Sequence, residues 1–395
     1  MFAIREVGLS RFSAASRPGK GEREMSTMRV LHLKGFLASD GATAVEYSLA
    51  GELSPDIAFD WLMEGTSEEA WKERFRRIGS RLYQIQYPKT GKKRILLKYR
   101  AYRDFFREHP YEAIHIDTDG FHRTVELFAA KRAGIRKRIV HSHNTEAEVA
   151  GRLGGSGFSR RLGQRLYTWL ATDCLACSDQ AGEWLFGSGT KNNVVLLKNG
   201  IDVERFRFDP QKRGITRQQL GLENKKVIGH VGRFESQKNH RFLLSVFQEL
   251  YGRDQEYRLL LIGDGSLRRE IMEEVRGKGL DQVILFIGNT EQVEAYYQAM
   301  DVFLLPSLHE GLSLAAVEAQ CSGLPCLMAD TVSTQTRLTG ACAFLPLDRG
   351  PAPWAEKTEE ALAISRDREE GAREVAAAGY DSHSSGEALR AIYCG

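Results

Sequence analysis

Residues 309–325 read His-Glu-Gly-Leu-Ser-Leu-Ala-Ala-Val-Glu-Ala-Gln-Cys-Ser-Gly-Leu-Pro. The short apolar run 302–305 just before them predicts a buried strand, which a proline and a serine close. Ser313 is a suitable N-cap, apolar residues follow it at helical spacing, and a glycine and a proline end the helix. The stretch therefore predicts a strand, a loop that carries Glu310, and a helix that contains Glu318.

Two glutamates eight residues apart frame the start of this helix. A helix N-terminus presents unpaired N–H groups and the positive end of the helix dipole, so it suits a phosphate group. Glu310 and Glu318 could then hold the hydroxyl groups of a phosphorylated ligand. Taken alone, such a pair is more often a loop carboxylate and a solvated helix position. The surrounding frame of Pro-Ser-x-x-Glu-Gly-Leu-Ser, Glu-Ala and Ser-Gly-Leu-Pro favours the functional interpretation.

This frame closely resembles the signature of the retaining glycosyltransferases of family 4. The resemblance extends from about residue 28 to about residue 380, is strong over 137–350 and is weak over 36–110. It is closest to enzymes that build capsular or exopolysaccharide repeat units. It implies an α/β protein with the GT-B fold, in which two Rossmann-like domains face each other across a cleft and residues 309–325 belong to the donor domain.

Length and composition fit two ordinary domains. The chain has 395 residues, of which 42% are hydrophobic, and no apolar run approaches the ~18 residues that span a bilayer. Residues 1–200 carry a net charge of +9 and the remainder carries −6, so the first half could face an anionic surface or acceptor. Six cysteines without a secretory signal favour a reduced, cytoplasmic protein, and we expect no nucleic-acid partner.

Strand and helix patterns alternate along the first half, which predicts a parallel sheet covered on both faces. The predicted strands are 29–36, 57–63, 112–117, 137–142 and 172–177, and the predicted helices include 66–78 and 120–133. We expect a disordered leader or an upstream-start extension at 1–27, an acceptor-side Rossmann-like domain at 28–198, a donor domain at 199–370, and a helical tail at 371–395 that could cross back to the first domain. The hinge between the domains resembles the family's Pro-Asn-Gly-Ile-Asp, with Lys198 in place of the proline.

Polar residues follow several strands of the first half, where ligands of such sheets gather. They are Asp40 to Thr43, Asp117-Thr118-Asp119 and His143. Asp-x-Asp is also the metal motif of the unrelated GT-A glycosyltransferases, but three residues are weak evidence, and we expect no metal there. Cys174 and Cys177 have the spacing of a zinc or redox pair, which we reject because residues three apart on a strand point to opposite faces.

His141 and His143 stand at alternate positions, so they share one face of a strand. A metal would need a third ligand, and none is obvious from the sequence. The segment resembles the His-Ser-His-Asn-Thr of polysaccharide-assembling members of family 4. That resemblance implies that His143 contacts the donor sugar in the cleft, where its titration near neutrality would suit proton handling.

The second half restarts with a strand at 226–231, followed by Gly232, Arg233 and, five residues later, Lys238. Glycine lets the backbone approach a ligand, arginine can fork onto phosphate oxygens, and lysine adds a point charge. An arginine and a lysine at this spacing are usually surface residues. Because they match the family's Gly-Arg-x5-Lys segment, we assign them to the donor pyrophosphate and expect neither side chain in a core.

The remaining donor residues follow from the resemblance. Asn289 would lie near the nucleobase, Gly311, Leu312 and Ser313 would bind phosphate at the helix N-terminus, Glu310 would hold the donor sugar and Glu318 the ribose. The turn Gly263-Asp264-Gly265 lacks the third glycine of a dinucleotide fingerprint, which disfavours a hydride-transfer enzyme. Further strands are expected at 258–262, 283–287, 302–305 and 326–328.

The sequence thus predicts a retaining, hexosyl-type glycosyltransferase that needs no metal. His143, Arg233, Lys238 and Glu310 are its expected catalytic residues, a UDP- or GDP-sugar its donor, and a lipid-linked or other saccharide its acceptor. Two alternatives stay open, a nucleotide-sugar epimerase on the same fold and a non-catalytic nucleotide-sugar-binding module. Only the first would release free nucleotide without an acceptor, and the second would be expected to lose Glu310, Arg233 or Lys238.

Residues 89–107 combine eight basic residues with one acid and several apolar residues. On a helix, Ile95, Tyr99, Tyr102 and Phe106 form an apolar stripe bordered by cations. The stripe could pack on the sheet as in any domain helix, or the segment could rest on an anionic membrane surface. The second interpretation would make the protein peripheral on the inner face of the plasma membrane.

Overall fold

The structure of the protein, a computed structural model, describes residues 4–6, 28–38, 41–54, 56–118, 120–143, 157–188 and 193–395. These residues form two compact units, and each unit is built on its own sheet. The first unit runs to Asn199 and is completed by Ser382–Gly395, and the second unit is Gly200–Asp381. The chain thus leaves the first unit within the Asn-Gly turn of the predicted hinge.

The described part of the first unit has an eight-stranded sheet in the order β1-β4-β3-β2-β5-β6-β7-β8. Its strands are β1 (Ile4–Glu6), β2 (Met28–Lys34), β3 (Ile57–Met63), β4 (Leu82–Ile85), β5 (Ala113–Thr118), β6 (Lys137–Ser142), β7 (Asp173–Ala176) and β8 (Val194–Leu196). All neighbours are parallel except β1 and β4. All five strands predicted for this half are present.

The central strands of this sheet are apolar runs because helices cover both faces. Leu31 and Leu33 of β2 and Ile114 and Ile116 of β5 are fully buried. The covering helices are α1 (Gly41–Leu53), α2 (Glu69–Arg77), α3 (Arg94–Glu108), α4 (Thr124–Arg132), α5 (Gly157–Leu170) and α6 (Asp179–Phe186). Cys174 lies in β7 and Cys177 just after it, and both are free thiols.

The second unit has a six-stranded parallel sheet in the order β11-β10-β9-β12-β13-β14. Its strands are β9 (Lys226–Val231), β10 (Tyr257–Ile262), β11 (Ile284–Ile287), β12 (Val302–Leu305), β13 (Cys326–Ala329) and β14 (Cys342–Leu345). All but β14 were predicted. β14 is an edge strand whose residues are only half-buried, so its apolar pattern is short.

The helices of the second unit pack on both faces of this sheet. They are α7 (Val203–Phe206), α8 (Pro210–Leu220), α9 (His240–Arg253), α10 (Arg268–Gly277), α11 (Val293–Ala299), α12 (Leu314–Cys321), α13 (Ala352–Ala363) and α14 (Glu370–Ala377). In α9, Leu243, Val246, Phe247 and Leu250 are buried and recur at helical spacing. α12 is the helix predicted from the opening stretch.

The C-terminal helix α15 (Ser382–Cys394) packs on α1 within the first unit. Lys137 Nζ donates a hydrogen bond of 2.9 Å to the carbonyl of Ile392, and Arg390 forms an ion pair with Asp56. The predicted tail 371–395 therefore divides, because α14 stays with the second unit and only α15 joins the first. No helix among the described residues is long and apolar enough to cross a membrane.

Helix α3 contains the predicted apolar stripe and buries part of it. Tyr102 and Phe106 lie in the core, and Tyr102 Oη donates to Glu64 Oε1 over 2.6 Å. Lys98 also points inward, with its Nζ 2.6 Å from Glu126 Oε1. Over these turns α3 is an ordinary domain helix.

The first turn of α3 differs from the rest of the helix. Ile95 is 62% exposed and Leu96 is 45% exposed. Lys92, Lys93 and Arg94, immediately before them, are exposed as well. Of the four residues of the stripe, only Tyr102 and Phe106 are therefore buried in the core.

Candidate functional site

Two loops meet at the carboxyl end of the second sheet. One follows β9 and contains Gly232 to Asn239, and the other follows β12 and contains Pro306 to Ser313. Because β9 and β12 are neighbouring parallel strands, their following loops emerge side by side. The sheet order therefore brings the Gly-Arg-x5-Lys segment next to the Glu310 loop.

Hydrogen bonds and an ion pair join these two loops. The Leu308 N–H donates to the carbonyl of Gln237 over 2.8 Å, and Gln237 Nε2 donates to the carbonyl of His309 over 3.0 Å. Lys238 Nζ lies 2.5 Å from Glu310 Oε1, with the two side chains only 14% and 11% exposed. The second oxygen of Glu310, Oε2, is buried without a hydrogen-bond partner. One oxygen of this carboxylate thus has no hydrogen-bond partner among the described residues.

The Glu310 loop is also held from its other side. The Ser333 N–H donates to the carbonyl of Glu310 over 2.9 Å, within an isolated parallel bridge between Glu310 and Val332. Thr336 Oγ1 donates to the carbonyl of Gly311 over 3.3 Å. These contacts fix the backbone at Glu310. The roles of Gln237, Ser333 and Thr336 were not predicted, because each residue contacts backbone groups of a distant part of the chain.

Glycines let the β9 and β10 loops pack backbone to backbone. Gly263 has a φ of +132°, and a Cβ there would lie 2.2 Å from the carbonyl oxygen of Gly232. Gly265 has a φ of +155°, and a Cβ there would lie 2.7 Å from the Phe234 backbone. The Gly-Asp-Gly turn therefore supports the loop that carries Arg233.

Arg233 and Lys238 occupy different environments on this loop. Arg233 is exposed, whereas the next residue, Phe234, is buried and stacks on His240 with ring centroids 4.1 Å apart. The buried phenylalanine anchors the loop and leaves the guanidinium group in solvent. Lys238 is mostly covered in its ion pair but is of intermediate exposure on a loop, so the structure places neither side chain in a core, as expected.

Ser313 precedes α12 with the extended φ and ψ of an N-cap, but its side chain makes no capping hydrogen bond. Its Oγ is instead buried without a partner. Ser313 therefore occupies the predicted N-cap position, but its hydroxyl does not make the predicted capping hydrogen bond. Gly311 and Leu312 lie on the approach to this N-terminus, and Leu312 packs against the core. The first turn of α12 keeps the N–H groups that an anion could bind.

Glu318 lies within α12, where Tyr297 Oη is 2.8 Å from its Oε2. Burial raises the pKa of Glu318 to about 7, and the hydrogen bond from Tyr297 offsets this only in part. The carboxyl group therefore keeps its proton to higher pH than an exposed glutamate does. Asn289 is exposed after β11, the edge strand. β10 separates it from β9, so the structure does not bring Asn289 into contact with the Lys238–Glu310 pair.

A second cluster lies in the first unit, at the ends of β2, β5 and β6. Asp117 Oδ1 is 2.7 Å from His143 Nε2, 3.6 Å from His141 Nδ1 and 3.7 Å from His115 Nε2. Its Oδ2 is 3.7 Å from His32 Nδ1. The expected pairing of His141 and His143 on one face holds, since their ring centroids are 4.0 Å apart. Asp40 and Asp119 lie outside the described residues.

Burial controls the charges of this cluster. It lowers the pKa of His115 to about 3 and lowers the pKa of His141 well below its usual value. Burial would raise the pKa of Asp117, but the surrounding imidazoles outweigh it and hold that pKa well below its usual value. No third ligand near the two histidines was obvious from the sequence, but the structure places His115 and Asp117 there. Register explains their meeting, since Asp117 pairs with His141, and His115 with His32.

Sequence comparison places the chain among known enzymes. Residues 225–363 match the family described as Glycosyl transferases group 1. EpsF of Bacillus subtilis (strain 168), to which glycosyltransferase activity is attributed, is 34% identical over 379 residues, which cover 93% of this chain and 97% of that protein. The UDP-Gal:alpha-D-GlcNAc-diphosphoundecaprenol alpha-1,3-galactosyltransferase of Escherichia coli is 26% identical over 224 residues, or 49% of this chain and 57% of that enzyme.

Solved structures share the fold. HepE of Anabaena in complex with UDP and glucose has a TM-score of 0.72 at 19% identity, covering 92% of this chain and 98% of that one. WaaG, a glycosyltransferase of lipopolysaccharide biosynthesis, has a TM-score of 0.68 at 16% identity, covering 93% and 100%. The predicted fold class is thereby confirmed. The chain belongs to the group 1 glycosyl transferases, with the GT-B fold of two Rossmann-like domains, and is an enzyme of the hexosyltransferase class.

Proposed function

We propose that the protein transfers a hexosyl residue from a UDP- or GDP-sugar to a lipid-linked saccharide, with retention at the anomeric carbon, during synthesis of a surface polysaccharide. The observation that carries the proposal is the Lys238–Glu310 pair beside the N-terminus of α12. It combines a cation for phosphate, a carboxylate for sugar hydroxyls and a helix dipole on two adjoining loops.

The chemistry asks the site to stabilise a departing diphosphate and an oxocarbenium-like sugar. Arg233 is exposed and Lys238 lies five residues later on the same loop, so both could reach the diphosphate, and the N–H groups of α12 add a fixed dipole. Such preorganised charge needs no reorganisation during the reaction. We propose that it serves in place of a metal ion. The free Oε2 of Glu310 would accept a hydroxyl of the donor sugar.

The relatives support the substrate classes. The name of the Escherichia coli relative specifies a UDP-sugar donor and a diphosphoundecaprenol-linked acceptor, and HepE was crystallised with UDP and glucose. We infer the same two classes for this chain. Glu318 would bind the ribose and Asn289 would lie near the base.

We assign His143 to the donor sugar and to proton handling. Its Nε2 is 2.7 Å from Asp117 Oδ1, and its side chain is 19% exposed, more than the other histidines that surround Asp117. The carboxylate fixes the orientation of the ring and leaves one edge accessible. Replacement by alanine should lower kcat more than it raises KM.

The exposed first turn of α3 supports a place at the cytoplasmic face of a membrane. Ile95 and Leu96 project beside Lys92, Lys93 and Arg94, a pairing of apolar and basic groups that suits an anionic leaflet. A lipid-linked acceptor would be met there. We do not expect Lys98 to contact the membrane, because its ammonium group is paired with Glu126.

A thermal-shift panel of UDP-, GDP- and ADP-sugars tests the donor class. A true donor at 100 times its Kd stabilises by ~2.7 kcal/mol, and we expect this for one of the first two. The stabilising donor is then incubated with and without a lipid-pyrophosphate saccharide, and the anomeric configuration of the product is determined by NMR. Free nucleotide without acceptor would identify an epimerase, and stabilisation without turnover a binding module. Inversion would contradict the retaining mechanism.

A further inference from the structure

The geometry points to a transition-metal site in the first unit, formed by His115, Asp117 and His141, which would take a divalent ion such as Zn²⁺. These residues stand on the adjacent parallel strands β5 and β6. The inference does not depend on the proposed function. Its basis is the spacing of three ligand atoms and the burial of an aspartate among histidines.

The spacing matches zinc coordination. His115 Nε2, His141 Nδ1 and Asp117 Oδ1 form a triangle with edges of 3.4, 3.6 and 3.7 Å. A point equidistant from the three atoms lies about 2.1 Å from each, and zinc binds imidazole nitrogen and carboxylate oxygen at about 2.0–2.2 Å. Two imidazoles and one carboxylate leave a fourth position for water, as in open zinc sites.

The electrostatics favour a cation at this point. Among the described residues, the ion-pair partners of Asp117 are four histidines, and no lysine or arginine contacts it. A carboxylate whose side chain is only 12% exposed requires a compensating charge. Its Oδ2 and the Nε2 of His141 are both buried without a hydrogen-bond partner. A divalent ion would compensate the carboxylate without protonating the histidines.

Neighbouring side chains contact the proposed ligands and orient them. His115 Nδ1 is 2.5 Å from Tyr393 Oη, so the imidazole can direct the lone pair of Nε2 toward the metal. His143 Nε2 hydrogen-bonds the same oxygen of Asp117 that faces the metal. Because Tyr393 belongs to α15, metal binding would also hold the C-terminal helix on the sheet. The ligand set excludes Mg²⁺ and Ca²⁺, which prefer oxygen ligands.

Metal content of the tag-free, full-length protein tests the inference. After dialysis against Zn²⁺ and then against metal-free buffer, we expect about one zinc ion per chain by mass spectrometry, and an equivalent Co²⁺ complex with the visible spectrum of a low-symmetry site. Competition with a chromogenic chelator gives the affinity. Asp117→Asn and His141→Ala should each weaken it by at least about 10²-fold, and Tyr393→Phe by about 10-fold or more.

His240→Gln is the matched control. His230 and His240 form another buried histidine pair, with ring centroids 5.0 Å apart against 5.4 Å for His115 and His141, and neither has an ion-pair partner among the described residues. The control should bind zinc as tightly as the wild type. A wild-type protein that retains no zinc, or equal zinc binding by the wild type and Asp117→Asn, would overturn the inference. The Co²⁺ spectrum of the wild type decides the matter if the variants do not fold.

Discussion

Lys238 Nζ lies 2.5 Å from Glu310 Oε1 and thereby joins the loop after β9 to the loop after β12. In the structure the lysine neutralises a carboxylate that is only 11% exposed. In the proposed reaction the same ammonium group faces the donor diphosphate. We therefore expect Lys238 to contribute to both stability and catalysis, and variants should separate the two contributions.

Arg233→Ala and Lys238→Ala should each lower the rate of transfer by about 10²-fold or more, since each removes a preorganised charge. Their stabilities should differ. Arg233 is exposed, so its loss should change the free energy of unfolding little. Lys238→Ala leaves Glu310 mostly buried without its cation, which costs about 3–5 kcal/mol for a fully buried pair and less here. Steady-state kinetics and urea unfolding measure both effects.

The double variant Lys238→Met/Glu310→Gln serves as the control for stability. It removes both charges together, so it should recover most of the stability that Lys238→Ala loses while remaining inactive. Lys278→Ala, a more exposed lysine of the same unit, should change neither property. Wild-type turnover in both Arg233→Ala and Lys238→Ala would remove these residues from the donor site.

Glu318 should make the stability of the second unit depend on pH. Burial raises its pKa from 4.5 to about 7, so the folded protein binds a proton between these values that the unfolded chain releases. Stability is therefore fully present below the lower pKa and declines as pH rises through the window. In Glu318→Gln this contribution is absent. The variant should gain stability relative to the wild type between about pH 5 and pH 8.

Urea unfolding of both proteins at several pH values, followed by a probe in the second unit, measures this difference. Tyr297→Phe provides a second check, because loss of its hydrogen bond to Glu318 should raise the carboxyl pKa further. Parallel stability curves for the wild type and Glu318→Gln would show that the carboxyl group titrates normally.

Transfer should not require added Mg²⁺ or Mn²⁺. Arg233, Lys238 and the N-terminus of α12 supply the positive charge that a metal would bring to the diphosphate. We expect activity to persist in EDTA when both ions are omitted. A loss that only Zn²⁺ reverses would locate the effect at the histidine cluster, whereas a loss that Mg²⁺ or Mn²⁺ reverses would contradict metal-free transfer.

The strands and helices that were predicted correctly are those that local sequence patterns mark. The buried strands β9 and β12 and the helix α12 were predicted because apolar runs and turn residues mark them. The strands that were not predicted, β1, β4, β8 and β14, are short or lie at sheet edges, where few buried residues are needed. The pairing of an edge strand depends on the neighbouring strand, which the sequence of the edge segment does not specify.

Contacts between side chains on different strands were harder to predict than the strands themselves. His32 and His115 each interrupt an apolar strand, and a histidine at such a position was a signal that could have been noticed. Their meeting with Asp117 depends on the strand order β2-β5-β6 and its register. The Lys238–Glu310 pair has the same origin, since 72 residues separate its members and only sheet order makes them neighbours.

The first turn of α3 should bind anionic membranes. Each basic residue near such a surface contributes about 1 kcal/mol, so Lys92, Lys93 and Arg94 together should dominate the electrostatic part of binding. Changing all three to serine should strongly reduce co-sedimentation with anionic liposomes. Changing Ile95 and Leu96 to serine should also weaken binding, because their exposed side chains would lose apolar burial in the headgroup region.

The matched control changes three exposed cations of the second unit, Lys212, Arg269 and Arg276, to serine. It alters net charge equally and should leave liposome binding unchanged if the first turn of α3 is the contact. Binding should require anionic lipid and weaken with salt, because surface charges are screened. The inward orientation of Lys98 adds a further condition, since Lys98→Ser should affect stability through Glu126 rather than membrane binding. Equal sedimentation with anionic and neutral liposomes would exclude electrostatic binding and leave α3 as a domain helix alone.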